Sequence, residues 1–227
     1  SAREIIDLVD QLMRGESSIA RFTMDIRTEN WDRSLTLRAW SLGADYSLLR
    51  VETPQREAGT ATLMAGQEVW NYLPRVDRTI KVPSSMMAGS WMGSHFSNDD
   101  LVKESRLVDD YDIAINFEGA RDGAEVWEFV LTPLPEAPVV WGKILYEVRK
   151  EDFMPTRARY YDESDQIVRT MTWSEIRLMG SRLVPTVMTM VPADKPGETT
   201  VVRYHELDFD ADLEEDFFSL RNLRRER

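Results

Sequence analysis

Alternation of apolar and polar residues, repeated in segment after segment, constrains this chain more than any other feature. In "ARFTMDIRT", Ala20, Phe22, Met24 and Ile26 alternate with Arg21, Thr23, Asp25 and Arg27. Successive side chains of a strand point to opposite faces, so this spacing puts every apolar group on one side. "SLTLRAW" and "DYSLLRVET" follow, "GTATLMAGQEVWNYLP" gives two more strands about Gly66, and "RTIKVP" another. Further along come "DIAINFEG", "EVWEFVLTP", "WGKILYEVRK", "PTRARYYD", "QIVRTMTWSEIRLM", "LVPTVMTMVP" and "TTVVRYHELDF". The links "ARDG", "DESD", "GSR" and "ADKPGE" are short and polar, as antiparallel hairpins require, and Asp122-Gly123 is a strong hairpin signal. About ten or eleven antiparallel strands are expected. A sheet that wide, apolar on one face, must curl to hide that face.

Two segments offer themselves as covers. "AREIIDLVDQLMRGES" places Ile5, Ile6, Val9, Leu12 and Met13 on one side of a helix that Gly15 stops. The second, "SSMMAGSWMGSHFSNDDLV" (residues 84–102), mixes Met86, Met87, Trp91, Met92 and Phe96 with glycines and serines. No period of strand or long helix runs through it, and Gly89 and Gly93 make its backbone costly to fix. It reads as a pliable plug, with Ser97 or Asn98 capping a short helix whose first turn holds Asp99 and Asp100. "DADLEEDFFSL" reads as a helical turn capped by Asp210 that returns Phe217 and Phe218 to the body. The expected fold is α+β: an incomplete antiparallel β-barrel covered by an N-terminal helix and a mid-chain helical lid. With no linker-like composition shift, residues 1–227 are expected to form one domain, and 42% hydrophobic residues suffice for its core.

Two strands are apolar on both faces. In "EVWNYLP", Val69 and Leu73 oppose Trp70 and Tyr72; in "EVWEFVLTP", Trp127, Phe129 and Leu131 oppose Val126 and Val130. Either these are central strands buried on both sides, or one face lines a ligand cavity. On the second reading Trp70 and Tyr72 join the lid residues as cavity candidates, and the alternation of the first strand adds Phe22 and Met24.

Chemistry for making bonds is scarce. The net charge of −12 repels phosphate backbones and anionic headgroups, so no nucleic-acid partner is expected. The tail is locally basic, through Arg221, Arg224, Arg225 and Arg227, and reads as a solvated terminus or a contact for a negatively charged surface. Absence of cysteine excludes disulfides and thiolate chemistry, and two histidines, His95 and His205, are too few for a structural zinc site. "DESD" and "DDYD" lack the spacing of a calcium loop. No phosphate-cradling or dinucleotide motif occurs, and no cofactor is expected. "GSWMG" has its serine one place early for a nucleophile elbow, leaving Ser90 or Ser94 with His95 as a remote route to a lipid esterase. No apolar run is long enough to span a bilayer. The chain starts at Ser1 rather than Met, which is compatible with removal of a leader.

The order of these elements resembles the LolA-like family of periplasmic lipoprotein carriers. Gly66, Val69, Trp70, Tyr72 and Pro74 are similar to that family's G-x-x-(apolar)-W-x-Y-x-P strand, and residues 84–102 resemble the lid of its outer-membrane lipoprotein-sorting branch. "FFSLRNL" resembles its closing strand. The family's Arg-Pro pair, whose arginine helps hold the lid closed, has no counterpart in "RAWSLGADY", where Arg38 precedes Trp40. The resemblance implies a half-barrel around a cavity for acyl chains, and a non-enzymatic, periplasmic carrier. It further implies an acylated lipoprotein or lipid as ligand, an inner-membrane exporter as donor and an outer-membrane acceptor. On this reading Phe22, Met24, Trp70, Tyr72, Met86, Met87, Trp91, Met92 and Phe96 line or close the cavity. A scaffold or sensor domain of the same fold is the alternative.

Overall fold

The computed structural model describes residues 1–103 and 107–225. Helix α1 (Ala2–Arg14) leads into strands β1 (Ser17–Arg27), β2 (Asp32–Leu42), β3 (Tyr46–Thr53), β4 (Ala61–Ala65), β5 (Glu68–Leu73) and β6 (Arg78–Lys81). Short helices α2 (Asp100–Lys103) and α3 (Leu107–Asp110) follow. The remaining strands are β7 (Tyr111–Arg121), β8 (Ala124–Pro133), β9 (Lys143–Arg149), β10 (Pro155–Tyr161), β11 (Ile167–Met179), β12 (Arg182–Pro192) and β13 (Thr199–Phe209), and α4 (Leu220–Leu223) ends the described chain. Every alternating segment forms a strand of its own, which is why the count reaches thirteen rather than ten or eleven.

All thirteen strands join in one antiparallel sheet of order β6-β5-β4-β3-β2-β1-β13-β12-β11-β10-β9-β8-β7, open at both ends. The chain builds outward from β1 to the edge at β6, then starts again at the opposite edge, β7, and returns to close against β1. Among the described residues only one sheet pairing is not between sequence neighbours: β1 with β13, through Phe22↔Tyr204, Met24↔Val202 and Ile26↔Thr200. The described residues between β6 and β7, 82–103 and 107–110, therefore link one free edge to the other. An antiparallel sheet built this way leaves that connection only the open face of the curl, so the topology itself makes a strap across the concavity.

The inward rows of β1, β2 and β13 meet in the main core, where Met24, Leu35 and Leu37 are fully buried. α1 lies on this face through Ile6 and Val9. Its end is fixed at Gly15, whose φ of 66° favours glycine and where a Cβ would come 2.9 Å from the Phe209 ring. A separate cluster forms on the other face of β3–β5. Leu48, Leu63 and Tyr72 are covered there by Phe218 and Leu223 of the C-terminal segment.

That segment returns Phe217 and Phe218 to the body through a helical turn, as expected, but differs in its cap and in forming no closing strand. It is a 3₁₀ turn (Glu215–Phe217) followed by α4, not a closing strand, and α4 is capped by the Ser219 hydroxyl rather than by Asp210. Of the basic tail, Arg224 donates to Thr79 Oγ1 at 2.7 Å, and Arg227 lies outside the described residues.

Candidate functional site

Beneath the strap is an apolar cavity of about 330 Å³. Its floor comes from strands far apart in the sheet, Phe22 on β1, Met64 on β4, Tyr146 on β9 and Trp173 on β11, and only a curled sheet brings these together. Val9 and Met13 of α1 form one wall; Trp91, Phe96 and Leu101 of the strap form another. The rim is polar. Arg14 bonds Asp10 there at 2.5 Å, and burial pushes the Asp10 carboxyl up against the opposing pull of Arg14.

The strap is a set of tight turns, as its glycines and serines require. After a 3₁₀ turn at Ser84–Met86, Ser90 and Ser97 form an antiparallel bridge. Between them Ser94 N–H donates to Trp91 O at 2.9 Å, around Met92 and Gly93, both left-handed with φ of 53° and 75°. Two left-handed central residues are the signature of a type I′ turn, and the turn sends Trp91 and Phe96 down together. Asn98 stitches the loop from within, its side-chain amide donating to Met86 O and Gly89 O.

Polar bonds fasten the strap to the body. Trp91 Nε1 donates to Thr62 Oγ1 on β4 at 3.1 Å. Arg33 at the start of β2, chelated by Glu57, donates to Met92 O at 2.9 Å. Arg33 thus ties the strap to the sheet, whereas Arg38 stacks over Trp40. His95 makes three contacts with the β12–β13 end. Its backbone N–H donates to Thr200 Oγ1 at 3.0 Å, Nδ1 lies 2.7 Å from the same oxygen, and Nε2 lies 2.9 Å from Glu198 Oε2. The hydrogen bond from His95 is foremost in holding the Glu198 carboxyl below its usual range. Asp100, at the start of α2, exchanges hydrogen bonds with Ser97 and is chelated by Arg169 of β11.

Hydroxyl, imidazole and carboxylate are connected here, as in a nucleophilic triad, but the hydroxyl is that of Thr200, which is fully buried and already accepts a backbone N–H. Ser90 and Ser94 donate instead to the carbonyls of Ser94 and Trp91. The two ring nitrogens meet Thr200 and Glu198 and neither meets Ser90 or Ser94, so His95 fastens the strap to the β12–β13 end. Among the described residues no cluster of acidic or histidine side chains is placed to hold a metal. In "DESD", Asp162 accepts from the backbone of Ser164 and Gln166, closing a hairpin.

Of the nine residues singled out from sequence, Phe22, Trp91 and Phe96 line the cavity. Met24 is buried in the core beside it, and Met92 packs on that core from the left-handed turn. Four lie elsewhere. Met86 is 60% exposed, and Met87 packs with Met64, Val69 and Val82 near the β4–β5 edge. Trp70 and Tyr72 project from the face opposite Met64, into the cluster beneath the C-terminal segment. On one side of β5 Val69 is fully buried while Leu73 is exposed, and the aromatic side meets the tail rather than the cavity. Val9, Met13, Tyr146, Trp173 and Met188 line the cavity without having been foreseen. The helical spacing of the first two and the alternation of the others were visible, but which inward residues border empty space depends on strand order.

A family model described as "Uncharacterized protein" matches residues 43–225. Among solved structures, a DUF1329 family protein from Desulfovibrio piger is similar at 22% identity and a TM-score of 0.90, over 98% of this chain and 97% of that one. A putative outer membrane lipoprotein-sorting protein domain from Vibrio parahaemolyticus matches at 22% identity and a TM-score of 0.87, covering 99% and 98%. A LolA superfamily protein from Nitrosomonas europaea matches at 21% identity and a TM-score of 0.83, covering 98% and 99%. These likenesses establish the fold. Among curated proteins, none matches the sequence.

Proposed function

The chain belongs to the DUF1329-like family, and from that premise and its lidded cavity we propose that it carries acyl chains. Lipoprotein or lipid acyl groups enter the cavity beneath residues 84–103, and the protein moves them through the periplasm from an inner-membrane exporter to an outer-membrane acceptor. Residues 1–227 act in this as one domain. The observation that carries the reading is that Trp91 and Phe96, two large apolar groups packed into the main core, reach the cavity from a strap that polar bonds tie to the body. A cavity partly filled by its own lid suits reversible binding. Each buried methylene contributes about 0.8 kcal/mol, so a permanently open acyl site would hold its cargo too tightly to hand it on. Displacing Trp91 and Phe96 offsets part of that gain. At about 330 Å³ the cavity is at the small end of ligand sites, so larger cargo requires the strap to lift.

In support, one solved protein of this fold is described as lipoprotein-sorting and another as of the LolA superfamily. No helix among the described residues is long and apolar enough to cross a membrane. Native mass spectrometry of the protein purified from its host, followed by solvent extraction, tests the proposal. The expected result is a co-purified species bearing acyl chains. An apo mass, together with failure of added phospholipid and acylated peptide to bind, would end the carrier reading in favour of a scaffold.

A further inference from the structure

Arg169 lies in the inward row of β11 that continues through Met171 to Trp173 on the cavity floor. Its side chain is only 6% exposed. The guanidinium packs against two rings that also touch each other, 4.4 Å from the centroid of Trp141 and 4.3 Å from that of Tyr160, in a corner where the rings tilt by 56°. Asp100 chelates it, with Nη1 donating to Oδ2 at 2.7 Å and Nη2 to Oδ1 at 2.5 Å, while Nη1 also points to His95 O at 3.4 Å. The rings and the guanidinium belong to the sheet and its loops; Asp100 and His95 belong to the strap. Asp100 also lines the cavity, so it stands between Arg169 and the ligand space.

Lifting the strap therefore removes the chelating carboxylate and leaves its cradle behind: a planar fork backed by a corner of two aromatic rings, open toward the cavity. Separating one partner from a buried ion pair is strongly unfavourable, because the other charge stays desolvated. Asp99 leaves with Asp100. Of the three carboxylates that act on neighbouring Tyr111, only Asp110 lies outside the strap's α2 turn. A fork of this geometry matches carboxylate and phosphate alike.

We propose that Arg169 is the head-group site of the acyl cargo: as the strap lifts, the carboxylate or phosphate of an acyl ligand takes over the two hydrogen bonds that Asp100 gives up. The proposal rests on the carrier reading of the cavity. It makes opening easier for an acyl ligand with an anionic head than for an uncharged one, although a net charge of −12 gives anions no long-range attraction. Recognition is thus a short-range exchange of one anion for another.

Pyrene-tagged dodecanoic acid, dodecyl phosphate and dodecanol, matched in chain, test this by fluorescence titration, with inorganic phosphate as the chainless control. The acid and the phosphate ester are expected to bind about tenfold or more tightly than the alcohol, the scale of a charge-assisted hydrogen-bonded pair. In Arg169→Gln that ratio collapses toward one. Asp100→Asn leaves the guanidinium and its walls in place, and is expected to raise the ratio. Equal binding of acid and alcohol by the unaltered protein, or an unchanged ratio in Asp100→Asn, overturns the proposal. Inorganic phosphate binding as tightly as dodecyl phosphate overturns it in favour of a free-anion site. Failure of all three chains to bind would instead strike the carrier reading itself.

Discussion

Replacing Trp91 with alanine separates the two roles assigned to the strap, because stability and affinity should move in opposite directions. Trp91 is 4% exposed, its indole borders the cavity, and Nε1 donates to Thr62 Oγ1. Truncating a buried tryptophan costs about 3–5 kcal/mol. Trp91 already borders a cavity, which leaves part of its surface without packing partners, so the lower figure of about 3 kcal/mol applies. Thr62 keeps a partner in Asn71, at 2.7 Å, which limits the loss further. In a chain of this size the midpoint of thermal unfolding should fall by roughly 6–12 °C. An acyl chain, however, no longer has an indole to displace. If about half of the 3 kcal/mol returns as binding energy, affinity rises about tenfold. Urea titration of the apo protein and fluorescence titration with a pyrene-tagged fatty acid measure the two effects. Weaker binding in Trp91→Ala would refute the reasoning, since the indole would then be a surface the ligand rests on. Unchanged stability would refute it too.

Acid should loosen the strap. The Glu198 carboxyl is held low in the folded state, chiefly by the hydrogen bond from His95, so its stabilisation is complete above the ordinary value of 4.5 and fades as pH falls through the depressed one. Exchange of the His95 amide should accelerate over that range, and Glu198→Gln should flatten the dependence. Gly142→Ala should destabilise by about 3 kcal/mol, the upper end for overpacking. A Cβ there would meet the Asp162 carbonyl oxygen at 2.3 Å, and chemical denaturation measures the cost. Met24→Ala, in a fully buried core position beside the cavity, should cost about 2–5 kcal/mol in the same assay while leaving acyl affinity within a small factor.

Much of the fold could be read from the chain because strand alternation is a local signal. Ala20, Phe22, Met24 and Ile26 declare one inward row on their own, and the stripe from Ile5 to Met13 declares the covering helix. The plug could be read as well, since bulky groups among glycines have few other uses. What alternation lacks is the identity of the neighbour. Trp70 and Tyr72 were placed on the cavity because nothing local says that Phe218 and Leu223, far along the chain, cover their side of β5. Met86 shows the limit of composition: it shares the plug's character but sits in a turn that faces solvent. The bonds that tie the strap down were the least visible. Asp100 with Arg169 and His95 with Glu198 are separated by 69 and 103 residues, and only strand order brings them together.

The claim that the strap yields to cargo is tested most directly by two protons. The Trp91 indole N–H donates to Thr62 Oγ1 and the His95 backbone N–H to Thr200 Oγ1, each running from strap to body. Amide and indole hydrogen exchange, followed by NMR with and without saturating palmitoylated peptide, reports both at once. The account predicts that both protons lose protection when the peptide is bound, while amides in the paired β1 and β13 keep theirs. Tight binding with both protons still protected would contradict it.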